Sequence, residues 1–241
     1  MFMPILKVNA EDISEFAIVC GDPFRAEKIA GKLEGARELA FSREYRTFTG
    51  TYRGVPLAVV SHGVGSPGAA VCFEELIRAG AKTIIRVGTA GAYHADTPAG
   101  SLIVSTAAIN TVGLTRQIVP EGYPAVADGE VADALYQAAL ATEGVVRKGI
   151  TVTLDVFFAG VKEIPHKQYK AAGALGVEME IAALYVIASL RGVRAGAILA
   201  TDGFADSDLA AEYDPNTDVV AKAVEREIHV ALEAIAKLAA K

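Results

Sequence analysis

A regular alternation between short apolar runs and segments with helical spacing is the feature of this sequence that most constrains its fold. Residues 16–20 form an apolar run that stops at a Gly-Asp-Pro turn, and a helical pattern follows. Similar patterns predict strands at 82–87, 101–108, 150–154 and 195–201 and helices at 69–79, 130–142, 181–190 and 219–238. Strands that alternate with helices predict an α/β fold, with a largely parallel central sheet flanked by helices.

Two segments depart from that alternation. Residues 47–52 and 55–61 flank Arg53-Gly54 and predict a β-hairpin, which adds antiparallel strands and makes the sheet mixed. Residues 112–128 show little periodicity and contain two glycines and two prolines, so we expect a long loop there. A loop of that length is often functional, although an ordinary surface excursion would explain it equally well.

Composition and charge narrow the possible partners. The chain has 241 residues, 52% of them hydrophobic, and no linker or repeat divides it, so we expect one domain over residues 1–241. The net charge is −6, whereas proteins that bind nucleic acids or anionic membranes need a basic face. No apolar run reaches the roughly 20 residues that span a bilayer. We therefore expect neither a nucleic acid nor a membrane as a partner.

The cysteine and histidine content bears on compartment and metal binding. Cys20 and Cys72 each lie in an apolar run, and we expect both to be small buried residues rather than a disulfide. Two cysteines and four histidines form no cluster typical of a metal site. The N-terminal residues do not resemble a signal peptide. The sequence therefore predicts a cytoplasmic protein without a metal.

Polar residues cluster where the predicted strands end, which is where open α/β sheets bind ligands. Gly21 and Arg25 follow the first strand, at the start of a helix whose backbone N–H groups attract anions. Arg86 lies in the apolar strand before Thr89, and a buried charge there needs an anionic partner, either a protein carboxylate or a bound anion. Asp202 follows the last strand.

Two carboxylates, Glu178 and Glu180, lie just before the helix predicted over 181–190. Each polar residue alone has an ordinary explanation: Arg25 is a solvated helix residue, the glutamates favour a helix N-terminus, and Asp202 is a turn residue. Together they predict an oxyanion site beside acidic groups, which suits an enzyme that brings phosphate to a neutral, hydroxylated substrate. The chain has no Walker-type lysine motif and no complete dinucleotide fingerprint, which disfavours an ATPase, kinase or dehydrogenase.

Several motifs in order cover nearly the whole chain and together resemble one enzyme family. They are Gly21-Asp22-Pro23 with Arg25, Ser42-Arg43-Glu44, and residues 49–52, 63–67, 74–76, 86–92 and 177–180. The sequence resembles the nucleoside phosphorylases, in the class of the hexameric purine nucleoside phosphorylases and the uridine phosphorylases. That resemblance implies a dimer-based homo-oligomer, a hexamer, with nucleoside and phosphate as substrates and no metal or organic cofactor.

The resemblance also implies a phosphate site. The Gly21 amide, Arg25, Arg86 and Thr89 would hold phosphate, together with an arginine from a neighbouring subunit that Arg43 matches. Arg86 would be one of two catalytic residues, because positioned phosphate lowers the barrier to breaking the glycosidic bond.

A nucleoside site is implied in the same way. Glu180 would bind the ribose hydroxyls with Glu178 nearby, Met179 would pack on the sugar, and Phe157 would stack near the base. Asp202, the second catalytic residue, matches the acid that protonates the purine ring in purine-specific members.

The sequence departs from the family pattern in three ways. A histidine near the N-terminus, which reaches a neighbour's ribose, is replaced by Lys7 or by nothing. The Gln and Arg with which uridine phosphorylases read uracil are replaced by Val161 and Glu163. Residues 205–218 contain no arginine to pair with Asp202, as purine members have.

These observations favour phosphorolysis of ribonucleosides or deoxyribonucleosides, with purines preferred. A uridine or broad-specificity phosphorylase is the first alternative. A hydrolytic nucleosidase is another, although it would have no use for a phosphate site. The missing histidine and the missing arginine partner keep a non-catalytic nucleoside- or phosphate-binding protein open as well.

Overall fold

The computed structural model describes residues 1–205 and 214–240. The strands are β1 (Phe2–Met3), β2 (Val8–Asn9), β3 (Phe16–Cys20), β4 (Glu34–Ser42), β5 (Tyr45–Tyr52), β6 (Val55–Ser61), β7 (Thr83–Ala92), β8 (Leu102–Asn110), β9 (Val146–Thr153), β10 (Gly176–Glu178) and β11 (Arg194–Phe204). The helices are α1 (Pro23–Ala30), α2 (Ser66–Ala79), α3 (Gly113–Ile118), α4 (Gly129–Leu140), α5 (His166–Ala171), α6 (Ile181–Arg191) and α7 (Asp218–Ala239).

Within the described residues, nine strands form one mixed sheet in the order β10-β9-β8-β11-β7-β3-β6-β5-β4. The central strands β11, β7, β3 and β6 run parallel, whereas β8 is antiparallel to β11 and β5 is antiparallel to both β6 and β4. The expected α/β fold with a mixed sheet is therefore confirmed, and so is the hairpin of β5 and β6.

Helices cover both faces of the sheet because successive strand residues point to opposite sides. Ala17 and Val19 of β3 pack in the cluster that contains α2 and α6, whereas Ile18 and Cys20 pack in the cluster that contains α1, α4 and α7. In α6, all residues from Ile181 to Ala188 are buried, so this helix is covered on every side. None of the described helices is long and apolar enough to cross a membrane.

Strand β7 continues five residues beyond its expected end at residue 87, through the Gly-Thr-Ala-Gly segment that we expected to leave the sheet. The extension is possible because β11 and β10 both supply pairing: Gly91 lies opposite Gly203 of β11 and Val177 of β10. This extension carries Thr89 past the core of the sheet and into the candidate site.

Six other elements were not expected from the sequence, namely β1, β2, β4, β10, α3 and α5. Edge strand β4 is mostly exposed and has two register shifts against β5, so it shows no apolar alternation. Helix α3 lies within the expected loop at 112–128. The rest of that loop is held by pairing of Val126 with Ala107 of β8.

Candidate active site

A cleft of about 1300 Å³ opens at the carboxyl ends of the parallel strands. It is lined by all but one of the predicted site residues: Gly21, Arg25, Arg86, Thr89, Phe157, Glu178, Met179, Glu180 and Asp202. They come from β7, β10, β11, the turn before α1, the first turn of α1, and the connections before α5 and α6. The structure thus brings together residues that lie up to 181 positions apart in the sequence.

Arg86 is the centre of a buried ion-pair cluster. Its Nη2 lies 2.5 Å from Oε2 of Glu180, and its Nε lies 3.3 Å from Oε2 of Glu178. The sequence allowed either a protein carboxylate or a bound anion as the partner of Arg86, and the structure shows protein carboxylates. Burial opposes the charge of Arg86, but Glu180 and Glu178 outweigh it and raise the Arg86 pKa.

The backbone around Glu178 fixes the carboxylates of this cluster. Oε2 of Glu178 accepts hydrogen bonds from the N–H groups of Glu180 (2.7 Å) and Ile181 (2.9 Å), and Oε1 accepts one from the Thr153 hydroxyl (2.5 Å). Burial still raises the pKa of Glu178, although Arg86 acts in the opposite direction. Oε1 of Glu180 accepts a hydrogen bond of 2.6 Å from the N–H of Gly65.

His62, which was not predicted as a site residue, supports Arg86 from the other side. This fully buried side chain has Nδ1 2.9 Å from the Gly63 carbonyl oxygen and Nε2 3.3 Å from Nη1 of Arg86. Burial and the Arg86 charge hold the His62 pKa well below its usual value. The ring is therefore neutral, with Nδ1–H donating to Gly63 and Nε2 accepting from Arg86.

Gly88 leaves the space that the Arg86 guanidinium occupies. A Cβ atom at position 88 would lie 2.8 Å from Nη1 and 2.9 Å from Cζ of Arg86. Any side chain at this position would therefore displace a group that is held on three sides by other residues.

Arg25 reaches the cleft from the first turn of α1, where the Asp22 side chain caps the helix by accepting a hydrogen bond from the Phe24 N–H. Its side chain is 16% exposed, and Nη1 lies 3.6 Å from Oε1 of Glu227 on α7. Glu227 is fully buried and, like His62, was not among the predicted site residues.

Asp202 and Phe157, the two residues expected to meet the base, both line the cleft. Asp202 is the extra residue of a β-bulge in β11, because Thr201 pairs with Ala90 and Gly203 pairs with Gly91. Such a bulge re-aims a side chain, and Asp202 lines the cleft while only 7% exposed. Phe157 is 45% exposed and makes an edge contact with Phe158.

Arg43 is the predicted phosphate ligand that does not line the cleft of its own chain. It is exposed, at the turn between β4 and β5, and has a positive φ of 57°. The neighbouring Glu44 does line the cleft and packs over Gly63. The stretch between Ala205 and Asp218, where no arginine partner for Asp202 was found, falls largely outside the described residues.

The cleft and the strand order have counterparts among known proteins. The family model described as "Phosphorylase superfamily" matches residues 15–236. The chain belongs to the nucleoside phosphorylase family. It is 39% identical over 239 residues to the purine nucleoside phosphorylase of Plasmodium falciparum, covering 98% of this chain and 96% of the relative.

Other members of the family differ in the base that they are named for. The uridine phosphorylase of Thermococcus kodakarensis is 40% identical over 201 residues, covering 78% of this chain and 73% of that protein. The crystal structure of purine nucleoside phosphorylase from Toxoplasma gondii in complex with immucillin-H superposes with a TM-score of 0.93 at 36% identity, covering 98% and 96% of the two chains. The family is thus established by relatives named for purine nucleosides and for uridine alike.

Proposed function

We propose that this protein is a purine-preferring nucleoside phosphorylase. It would split ribonucleosides or deoxyribonucleosides with inorganic phosphate to give the free base and the sugar 1-phosphate. The observation that supports this most directly is the single cleft that holds Arg25 and Arg86 together with Glu180 and Asp202. These residues offer cations for an anion, an acceptor for sugar hydroxyls and an acid for the leaving base, which are the groups the reaction needs.

In the proposed reaction, a phosphate oxygen forms a bond to C1′ of the sugar as the bond from C1′ to the base nitrogen breaks. The electron pair of the broken bond stays on the base. Arg25, Arg86, Thr89 and the Gly21 amide would hold the phosphate, because charge-assisted and backbone N–H bonds orient an anion at a helix start. The bound phosphate then lies next to the positive charge that develops on the sugar, which lowers the barrier.

On the nucleoside side, a protonated Asp202 would donate its proton to a purine ring nitrogen and regain one from water. Glu180 would accept hydrogen bonds from the ribose hydroxyls, Met179 would pack against the sugar, and Phe157 would stack on the base. Glu178 acts here chiefly by fixing Arg86 through their contact of 3.3 Å.

The proposed phosphate site is completed by a second subunit. Arg43 is exposed and outside its own cleft, which fits delivery to a neighbour in a dimer-based oligomer, a hexamer in the family pattern. Co-expressing Arg43→Ala subunits with Arg86→Ala subunits should restore some activity, because one site of each mixed dimer keeps both arginines. A fully active monomer in sedimentation would contradict this part of the proposal.

The test of the function is a nucleoside panel. Inosine, adenosine and uridine are incubated with and without phosphate, and the free base is measured by chromatography. We expect base release only with phosphate, and a higher kcat/KM for the purine nucleosides. Release without phosphate would indicate a hydrolytic nucleosidase, and no release under either condition would indicate a non-catalytic binding protein.

A variant of Asp202 tests the acid. Asp202→Asn should lower kcat on inosine by roughly 10²–10⁴-fold, the range of a lost general acid, while phosphate affinity changes little. Asp96→Asn is the control, because Asp96 is an exposed carboxylate that pairs with Arg147. Full activity of Asp202→Asn on inosine and adenosine would remove the purine assignment and leave phosphorolysis standing.

A uridine phosphorylase is the second candidate. It is supported by the relative from Thermococcus kodakarensis and by Gln168 of α5, which lines the cleft. Gln168 lies further along the chain than the positions of Val161 and Glu163, and its amide has both a donor and an acceptor for a uracil edge. A higher kcat/KM for uridine, reduced in Gln168→Ala, would favour this candidate.

The proposal needs no metal or organic cofactor, since inorganic phosphate is the co-substrate. It also places the protein in the cytoplasm. That location is supported by Cys20 and Cys72, which are both free and buried.

A further inference from the structure

Glu227, a residue of α7, is buried next to the cleft. Its side chain has no exposed surface, and it does not line the cleft. Neither carboxylate oxygen makes a hydrogen bond of ordinary geometry with the described residues. Its nearest charged partner is Arg25, whose Nη1 lies 3.6 Å from Oε1. A buried carboxylate held this loosely is costly to keep charged, so its position beside the proposed phosphate site requires an explanation.

The groups that face Glu227 come from several elements. They are Arg25 of α1, Arg86 and the Gly88 N–H of β7, the Ala200 N–H of β11 and Cys20 of β3. His62 after β6 lies on Arg86, the next group in this cluster. Burial raises the pKa of Glu227 to about 8, although both arginines and both N–H groups act in the opposite direction. Cys20 has its pKa raised to about 12 by burial, and the pKa of His62 is lowered by burial. Of the side chains facing one another here, Glu227 is therefore the one that titrates slightly above neutral pH.

Charge balance links this residue to the binding of an anion. Arg25 and Arg86 carry two positive charges, and Glu178 and Glu180 balance them when both are ionised. With Glu227 neutral, the cluster can accept a phosphate anion next to Arg25. With Glu227 ionised, the cluster gains a negative charge 3.6 Å from the Arg25 guanidinium, and the two anions compete for it.

We propose that Glu227 is a positioning residue that controls phosphate binding through Arg25. In its neutral form it supports the Arg25 side chain from behind and leaves the charge of Arg25 to phosphate. In its ionised form it pairs with Arg25 and excludes the anion. This inference rests on the proposed function, because it assumes that phosphate binds at Arg25.

The experiment measures anion affinity against pH by calorimetry on the full-length protein. Phosphate is one probe, and sulfate is the other because it stays a dianion over pH 6.5–9.5. With a pKa of about 8 for Glu227, the sulfate Kd of the wild type should rise about tenfold between pH 7 and pH 9. In Glu227→Gln, which has the same shape and no charge, the Kd should stay constant over that range.

Two further variants make the result specific. Glu225→Gln is the matched control, because Glu225 lies on the same helix but is half-exposed and pairs with Lys28 and Lys32. It should keep the pH dependence of the wild type. If Glu227→Gln does not fold, Glu227→Met provides the same loss of charge at similar volume.

Steady-state kinetics distinguish positioning from a general structural role. Glu227→Gln should lower the phosphate KM at pH 9 relative to the wild type while kcat at saturating phosphate stays within about twofold. A wild-type Kd that does not change with pH, or a Glu227→Gln variant that keeps the dependence, would overturn the inference while the phosphorylase assignment stands. Absence of anion binding at every pH, with base release that needs no phosphate, would overturn the proposed function and this inference with it.

Discussion

Replacing Gly88 with alanine tests the Arg86 cluster without removing any of its charges. The added Cβ would lie 2.8 Å from Nη1 of Arg86, whereas an ordinary contact needs about 3.4 Å or more. The guanidinium must therefore move by about 0.6 Å, although Glu178, Glu180 and His62 hold it on three sides. The side chain is buried, so it has no solvent into which it can swing.

The expected cost follows from the contacts that this movement stretches. A hydrogen bond to a charged group contributes about 1.5–3 kcal/mol, and breaking one partner from a buried pair costs about 3–5 kcal/mol. Partial loss of the Glu180 contact should therefore lower the free energy of unfolding by about 2–4 kcal/mol. At about 2–4 °C per kcal/mol for a chain of this size, the Tm should fall by about 5–15 °C.

The assay combines calorimetric melting with the phosphate KM of Gly88→Ala. Gly129→Ala is the control, because nothing lies within 4 Å of the Cβ that it would add at the start of α4. That variant should melt within about 2 °C of the wild type, since an exposed substitution changes stability by about 0.5 kcal/mol or less. If Gly88→Ala keeps both the Tm and the phosphate KM of the wild type, the packing argument for Arg86 is wrong.

Three other predictions concern the same site. Arg25→Ala should raise the phosphate KM about tenfold or more, because a charged hydrogen bond contributes about 1.5–3 kcal/mol. Arg37 forms an exposed ion pair with Asp12, so Arg37→Ala should leave the phosphate KM unchanged in the same kinetic assay. Thr153→Val should lower the free energy of unfolding in urea by about 2–3 kcal/mol, because it removes the bond to Glu178 and leaves the Ala182 N–H without its hydroxyl acceptor; wild-type stability would contradict this. Folding raises the pKa of Glu227 from 4.5 to about 8, so between these pH values the folded state keeps a proton that the unfolded chain loses. The free energy of unfolding should therefore fall between about pH 5 and pH 8, by up to about 1.4 kcal/mol per pH unit, and stay level above pH 8. Equal slopes for the wild type and Glu227→Gln in calorimetric unfolding against pH would refute that assignment.

Much of the fold could be predicted because its central strands are buried on both faces. Such strands are continuous apolar runs between turn residues, and β3 and β6 follow that rule. Edge strand β4 could not be predicted in this way. Most of its residues are exposed and its register shifts twice, so its sequence has no apolar alternation to detect.

The site residues at strand ends could be predicted from the sequence, whereas the buried residues that contact Arg25 and Arg86 from outside the cleft could not. Gly21, Thr89 and Asp202 are near the ends of strands, and all three line the cleft. Their roles in binding stay predictions. The end of β7 was placed wrongly, since the pairing with β10 that extends it joins segments about 85 residues apart.

Glu227 and His62 were missed for a different reason. Glu227 is one of many charged residues in a long amphipathic helix. Its ion pair with Arg25, some 200 positions away, produces no recognisable pattern in the local sequence. A signal was nevertheless present: in α7 the residue shares the helical face of Val220, Val224 and Ile228. A carboxylate on that apolar face is expected to be buried, and buried carboxylates are common at functional sites.

The pairing of Arg86 with Glu178 and Glu180 also determines how substrates arrive at the cleft. Positive charges that are already balanced by nearby carboxylates produce little field beyond the protein surface, and the chain as a whole has a net charge of −6. We therefore expect a phosphate anion in solution to be weakly repelled from this protein rather than steered towards it, until it comes close to Arg25 at the proposed phosphate site. Added salt screens that repulsion, so we expect the association rate of phosphate to rise with ionic strength. An enzyme with basic residues around its active-site entrance would show the opposite dependence.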